Sequence, residues 1–520
     1  MARHHTAARD PEALPSVTGA SADDADRPAV RTVEHATALR VIATAAKVLD
    51  NPPPGDRDEL KESSICLGLL VERLIRTSDP ALAWLLLTAM AGAFPLAEDV
   101  RALRRSAQLG SEREVTLELL DLSLVLASQH GTADRPMTIV SGVVVDLDAC
   151  ARSEFHNGIQ RVARETVQAW GATHELTLVA WTDSAGITRS LSRREELRAA
   201  HWGRSEREIE PSLSDHPVRP TLIVPWHATV VLAEVPLADR CPPLAALAEF
   251  SGNSVVAIGY DAIPVVSADL RPPGEANAFA SYLAVIKHSD RVAGISTSAT
   301  VEFAGFAHAL ASQGLPGPVV TEIVLPSDVP PPPTGYERVT SDRPRVICVG
   351  RLEPHKNHAG LLHAAEVLWR EGLDFDLELI GRRGWSTVAV DVQLAALEKA
   401  GRPIQWRQSV SDGDLWLAIR DASFTVFVSL HEGFGLPVSE SLACGTPVIT
   451  TRYGSQGQIA AGGGCLTVDP RQDEELISAM RLLLTDPETE RKLRAEAEAR
   501  PQRTWHEYAD ALWSTLVASA

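Results

Sequence analysis

FTVFVSLHEGFGLPVSESLACGTPVITT, residues 424–451, reads as strand, glycine loop, helix and strand in immediate succession. The β-branched and aromatic run up to Val428 predicts a short buried strand. Gly433 and Gly435 let backbone approach a ligand closely, and Pro437 suits a first helical turn, so a helix to about Cys444 follows the loop. TPVIT (446–450) is the next strand, and strand–helix–strand in so short a stretch is a unit of a parallel sheet. Glu432 lies in the loop and Glu440 near the helix. If the segment were helical throughout, they would stand about 12 Å apart, comparable with the span from a hexose across a diphosphate to a ribose. A capped helix with two exposed glutamates is the plainer reading of that pair alone.

The same sheet extends both ways. RVICVG (345–350), DFDLELIG (374–381), PIQWR (403–407) and CLTV (465–468) are further strands. After the first comes Gly350-Arg351-Leu-Glu-Pro-His-Lys356-Asn357, which places two cations beyond the carboxyl end of a strand and ahead of a helix starting near Asn357. Both charges and the helix amino terminus face one anion in such an arrangement. In open α/β sheets that end of the strands is where ligands bind.

Upstream, short apolar runs recur at Met137–Asp148, Leu176–Trp181, Thr221–Pro225, Ser254–Ile258 and Arg291–Ile295, with helical patterns such as Ile159–Trp170 between several of them. They predict a second mostly parallel sheet, joined to the first by the proline-dense stretch 327–343. From Val33 to about His130 apolar residues recur at helical spacing, as in Leu67, Leu70, Leu74 and Leu117, Leu120, Leu124. The expected organisation is a disordered tail (1–30), a helical accessory domain (31–135), an α/β domain (136–326), the linker (327–343) and a second α/β domain (344–520) whose last helix crosses back.

A chain of 520 residues is long enough for several domains, each with its own core. Its formal net charge of -19 repels a phosphate polyanion, which argues against nucleic acid as the partner. The six cysteines are too far apart for a metal pair or a disulfide framework and read as buried thiols in a reducing cytosol. The amino terminus shows no secretory pattern. Ala81–Ala97, the longest uncharged run, is too short for a span and reads as a buried helix. A cytoplasmic protein is expected, with peripheral attachment at the inner membrane face left open.

VGRLEPHKN, LELIG, HEGFGLPVSESLACGTPVITT and CLTVDP, in this order and spacing, resemble the carboxyl-terminal domain of retaining glycosyltransferases of the GT-B fold, family 4. The resemblance implies two Rossmann-like parallel-sheet domains facing a cleft, acceptor-binding first and donor-binding second, with the helical domain preceding them. It implies transfer of a hexose from a nucleoside diphosphate sugar to a hydroxyl, with no metal or other cofactor. Arg351 and Lys356 would bind the donor diphosphate, Glu432 the sugar and Glu440 the ribose. Gly433, Phe434 and Gly435 would form the turn against phosphate and sugar. SQGQIAAGGG departs from the family, which carries Pro-Glu near Gln458.

Asn157-Gly158-Ile-Gln-Arg161-Val resembles the glycine loop of bacterial surface-polysaccharide mannosyltransferases, and Gly158 would approach the donor phosphate or the acceptor. Tyr260-Asp261-Ala-Ile-Pro stands where relatives have His-Asp-Leu-Ile-Pro. Asp261 matches and would orient or deprotonate the acceptor hydroxyl, whereas Tyr260 replaces the histidine. His227, read as lying just beyond a strand, is the candidate substitute imidazole. Ser296 is either a cleft serine or a helix cap. Asp146 and Asp148 spell a DxD metal motif but sit at a strand end, which favours a structural role. The donor is taken as a nucleotide sugar, with GDP-mannose favoured. The acceptor is a growing polysaccharide, a lipid-linked glycan or a small metabolite. The rival reading is a noncatalytic scaffold working through residues 31–135, which would equally serve self-association or a protein partner.

Overall fold

The computed structural model describes residues 27–53, 55, 58–154, 156–203, 220–339 and 343–518. Residues 1–26 of the expected tail and 340–342 of the expected linker lie outside this set, while residues 27–30 open the first helix. Helices α1 (Arg27–Val48), α2 (Glu59–Thr77), α3 (Pro80–Ala91), α4 (Ala97–Leu109) and α5 (Glu112–His130) form the amino-terminal layer. Their ends follow from local chemistry. The Asp79 carboxylate accepts from Ala81 N at the start of α3, Pro80 fills its first turn, and Gly92 closes it in the left-handed region at φ 68°. Ser111 and Glu114 make a reciprocal capping box on α5.

Helix α3 is buried all round, with Trp84, Leu85, Leu86 and Leu87 fully enclosed, as the uncharged run requires. None of the described helices is long and apolar enough to cross a membrane. Two readings change. Leu117 and Leu124 are exposed, and α5 instead buries Val115, Leu119 and Leu126; leucines occur on several faces of this helix, so their spacing alone does not select the inner one. The helices are also no free-standing domain, because one continuous core joins Leu70, Trp84 and Leu103 to Leu222, Leu244 and Phe303 of the following α/β unit. Arg40 ties the layers together. Its buried guanidinium donates to the carbonyls of Ala89 (2.6 Å), Ala133 (2.7 Å) and Arg135 (2.8 Å). Arg40→Met strips these acceptors of their donor and is expected to lower the thermal midpoint by about 5 °C or more; an unchanged melt would refute this account.

The first sheet contains β1 (Met137–Asp146), β2 (Thr177–Trp181), β3 (Thr188–Ser190), β4 (Leu222–Leu232), β5 (Ser254–Gly259), β6 (Arg291–Gly294) and β7 (Val319–Glu322). β1 lies between β2 and β4, and β5, β6 and β7 follow in parallel. Among the described strands of this sheet only the short β3 runs antiparallel. The second sheet is wholly parallel: β8 (Arg345–Val349), β9 (Asp376–Ile380), β10 (Ile404–Arg407), β11 (Phe424–Phe427), β12 (Val448–Thr451) and β13 (Cys465–Val468), ordered β10-β9-β8-β11-β12-β13. The strand order reverses between β8 and β11, which places the ligand crevice beyond their carboxyl ends. The last helix, Trp505–Leu516, returns to the first unit, where Trp170 Nε1 donates to Ala509 O at 2.8 Å and the Trp170 and Trp513 rings meet edge to face.

His227 does not lie beyond a strand. It sits in the middle of β4, exposed, at φ 49°, opposite a register shift in β1 between Val140 and Gly142. It is a bulge residue far down the strand from the carboxyl-terminal edge, because Pro225 and the bulge interrupt β4 without ending it.

Candidate active site

On the second unit, the strand β8 ends at Val349, and after Gly350 a 3₁₀ turn, Pro354–Lys356, delivers the chain to the helix His358–Arg370. Leu430 N donates to His355 O at 2.7 Å, so the loops after β8 and β11 are bonded side by side. The Lys356 ammonium consequently meets the Glu432 carboxylate in an ion pair, 5.1 Å from the Phe427 ring centroid. Both side chains are largely enclosed, at 17% and 12% exposure. Burial alone would raise the Glu432 carboxyl, but Lys356 and His355 outweigh it and hold it below the usual range. Arg351 stands apart: it is 61% exposed, with Glu353 Oε1 3.5 Å from its Nε. The structure thus brings Lys356 and Glu432 together and leaves Arg351 at the rim, free to turn toward an anion.

The glycine loop is pressed against the first unit. The Ser296 hydroxyl donates to Gly433 O at 2.6 Å and also caps the helix Thr297–Leu310 through Ala299 N. A Cβ built on Gly433 would lie 2.5 Å from Tyr260 O. Gly435 turns the chain at φ 103° into the helix Leu436–Ala443, and the Phe434 ring is buried in a core shared by the two units, which leaves its backbone to face the loop. Beside Glu432 a cavity of about 210 Å³ is lined by His431, Ser298, Tyr453, Ser455 and Gln456. Ser455 and Gln456, not the exposed Gln458, are the residues of that departing segment which reach it.

From the first unit, Asp261 follows β5 and is half-buried near Glu302 and Glu432; desolvation pushes its carboxyl up to about 6. Tyr260 turns away from the cleft, with its hydroxyl donating to Ala233 O at 2.7 Å inside the core, so it supplies no side-chain contact there. An imidazole is nonetheless present. His431 bridges the units, with Nε2 2.8 Å from Glu302 Oε1 and Nδ1 2.8 Å from the Ser267 hydroxyl. The hydrogen bond to Glu302 raises the His431 pKa above its ordinary value. Gly158 opens the helix Gly158–Gly171 under an Asn157 cap and is close to the second unit, a Cβ there lying 3.6 Å from Leu436. One turn on, Arg161 pairs with Glu440. His431, Glu302 and Arg161 were not singled out from the sequence; His431 lay inside the quoted loop, but its partners come from distant segments.

Asp146 and Asp148 are engaged elsewhere. Trp181 Nε1 donates to Asp146 at 2.8 Å, while Asp148 pairs with Arg152 at 2.8 Å and Arg240 at 2.9 Å and accepts from Trp181 N. Among the described residues no group of three or more histidine, cysteine or carboxylate side chains is placed to hold a metal ion.

Two Rossmann-like units with strand carboxyl ends facing one cleft are the GT-B arrangement, and residues 337–500 match the family described as glycosyl transferases group 1. This part of the chain is a group 1 glycosyl transferase domain. The domain contains Arg351, Lys356, Glu432 and Glu440. The chain is 38% identical over 106 residues to an Escherichia coli protein named serotype-specific mannosyltransferase WbdA, an alignment covering 20% of this chain and 13% of that one. A second Escherichia coli protein of that name aligns at 25% identity over 59% of this chain and 38% of its own length. The Escherichia coli O-antigen chain mannosyltransferase B is 36% identical over 26% of this chain and 34% of its own. The chain therefore spans well under half the length of these curated relatives.

Proposed function

We propose that the protein is a retaining glycosyltransferase that moves a hexose, mannose, from a nucleoside diphosphate donor, GDP-mannose, to a hydroxyl of a glycan, lipid-linked glycan or small metabolite. The observation that carries this reading is the enclosed Lys356–Glu432 pair at the reversal point of the second sheet, with half-buried Asp261 facing it from the first. The donor sugar is drawn from the mannosyltransferase names of the relatives.

In this reading the donor diphosphate takes the place of Glu432 as partner of the Lys356 ammonium, and exposed Arg351 turns in to share its charge. Glu432, relieved of the cation, accepts hydrogen bonds from sugar hydroxyls. As the bond from the anomeric carbon to the phosphate oxygen breaks, the negative charge grows on the diphosphate, where Lys356 and Arg351 stabilise it more than in the ground state. The acceptor oxygen forms its bond to the anomeric carbon on the face the diphosphate leaves, which preserves configuration without a protein nucleophile. The acceptor proton passes to Asp261. A metal is not needed for charge stabilisation where two cations converge, and the DxD carboxylates are already occupied by arginines and an indole.

Asp261 must be ionised to accept that proton. kcat/KM is accordingly expected to climb as pH rises through about 6, and Asp261→Asn to flatten that limb. A profile with no inflection there would remove Asp261 from the role. The whole reading is tested by thermal shift with GDP, UDP, GDP-mannose and UDP-glucose in EDTA, followed by mass-spectrometric detection of sugar release. Stabilisation by one nucleotide, lost in Lys356→Ala, is the expected result. Response only after manganese is restored would refute metal independence, and no response to any nucleotide under either condition would refute the donor site.

A further inference from the structure

Arg161 enters from the first unit and ends in a compartment built by the rest of the chain. Its guanidinium pairs with Glu440 Oε1, and a second nitrogen lies 3.3 Å from Asp328 O at the start of the interdomain stretch. The Trp416 and Trp505 rings lie 5.6 and 5.5 Å from it, one from the second unit and one from the returning last helix. Asp328 in turn accepts from Trp505 N at 3.3 Å, closing the ring of contacts. The Arg161 and Glu440 side chains are 15% and 10% exposed. A guanidinium held in this way is preorganised and not a surface charge that happened to find a carboxylate. Among the described residues Arg161 is the cation that acts on Glu440. Asp412 repels the Glu440 carboxylate, and Glu165 and His156 lie on the Arg161 side.

We infer that Arg161 is a positioning residue for the donor: reaching across the cleft, it fixes Glu440 by one oxygen, so that the other is aimed at the ribose hydroxyls. The inference rests on the reading of Glu440 as the ribose contact. Among the described residues none donates to Oε2, and an ionised carboxylate retains acceptor sites there that a protonated one loses. Burial pushes the Glu440 carboxyl up, with Arg161 the cation opposing it, so loss of Arg161 favours the weaker, protonated acceptor. The contact also couples nucleotide recognition to the approach of the two units, because Arg161 belongs to the first and Glu440 to the second.

The test compares calorimetric binding of GDP with 2′-deoxy-GDP, and UDP with 2′-deoxy-UDP, to the unsubstituted chain, Arg161→Met, Arg161→Lys and Glu440→Gln. The unsubstituted chain is expected to prefer the ribonucleotide of one pair by about tenfold or more. Arg161→Met should erase most of that preference by weakening the ribo form while leaving the deoxy form unchanged; Arg161→Lys, which keeps a cation, should restore part of it and serves if the methionine variant does not fold. A purely structural arginine would shift both forms alike. Preference retained in both Arg161 variants, or tighter ribonucleotide binding in either, overturns the inference. Preference retained in Glu440→Gln overturns the ribose reading beneath it, and no binding of any diphosphate to the unsubstituted chain overturns the donor site itself.

Discussion

Lys356→Met is expected to lower kcat/KM by about 10³ and to destabilise the second unit by about 3 kcal/mol. Two effects combine. The substitution removes a cation from the point where the leaving diphosphate gathers charge, and charge stabilisers of this kind are worth about 10²–10³ in rate. It also strands Glu432, whose carboxylate is 12% exposed and owes its ionised state to Lys356. A buried acid left without its cation must either remain charged at a cost or take up a proton, and in both cases it no longer serves as it did. The sign of the linkage is fixed by the depressed Glu432 pKa: the pair contributes stability above the ordinary glutamate pKa, and this is lost as pH falls through the lower folded value. Lys356→Met should therefore narrow the stability difference from the unsubstituted chain at acid pH. Glu432→Gln separates the two effects, since it leaves the cation in place; it should retain diphosphate affinity and lose turnover. Wild-type kcat/KM in a folded Lys356→Met protein would sink the assignment.

The strands of both units were legible because their signal is local. RVICV and FTVF are β-branched or aromatic runs bounded by polar or glycine residues, and the structure places strands within them. β3 and β7 were missed, being only three and four residues long: β3 (TRS) has no hydrophobic run, and in β7 the valines are followed by Thr321 and Glu322. The Lys356–Glu432 pair was half visible: each residue stood out in its own loop, but their contact depends on β8 and β11 being sheet neighbours, a relation that no spacing encodes. The same limit hid the roles of Arg161, Glu302 and Ser267, each of which matters through a partner more than a hundred residues away. His227 misled for a different reason. Pro225 looked like a strand end, and the bulge that lets β4 continue is visible only in its pairing with β1. The helical layer was recognised as helical from its period, while its fusion with the first core depended on which face each helix presents.

Gly433→Ala carries the second large effect, about a 100-fold loss of kcat with nucleotide affinity nearly unchanged. The new methyl would sit 2.5 Å from Tyr260 O and 3.1 Å from both Asp261 Cβ and Oδ2. Neither neighbour yields easily: the Tyr260 ring is locked in the core by its hydroxyl bond to Ala233, and Asp261 is bonded to Ile263 N. The glycine loop is equally fixed, by Ser296 on Gly433 O and Ser455 on Glu432 O. Relief therefore comes from separating the two units at this contact, and a displacement of about 1 Å between reacting groups is enough to cost two orders of magnitude. The diphosphate contacts assigned to Lys356 and Arg351 belong to the second unit and move with the loop, which is why binding survives. Gly435→Ala is the contrasting case. Its φ of 103° makes the strain internal to the second unit, so it should weaken nucleotide binding first. Stopped-flow turnover and calorimetric GDP affinity on both variants distinguish the two. Equal losses of affinity and rate in Gly433→Ala would mean that this glycine shapes the donor pocket and not the meeting of the units.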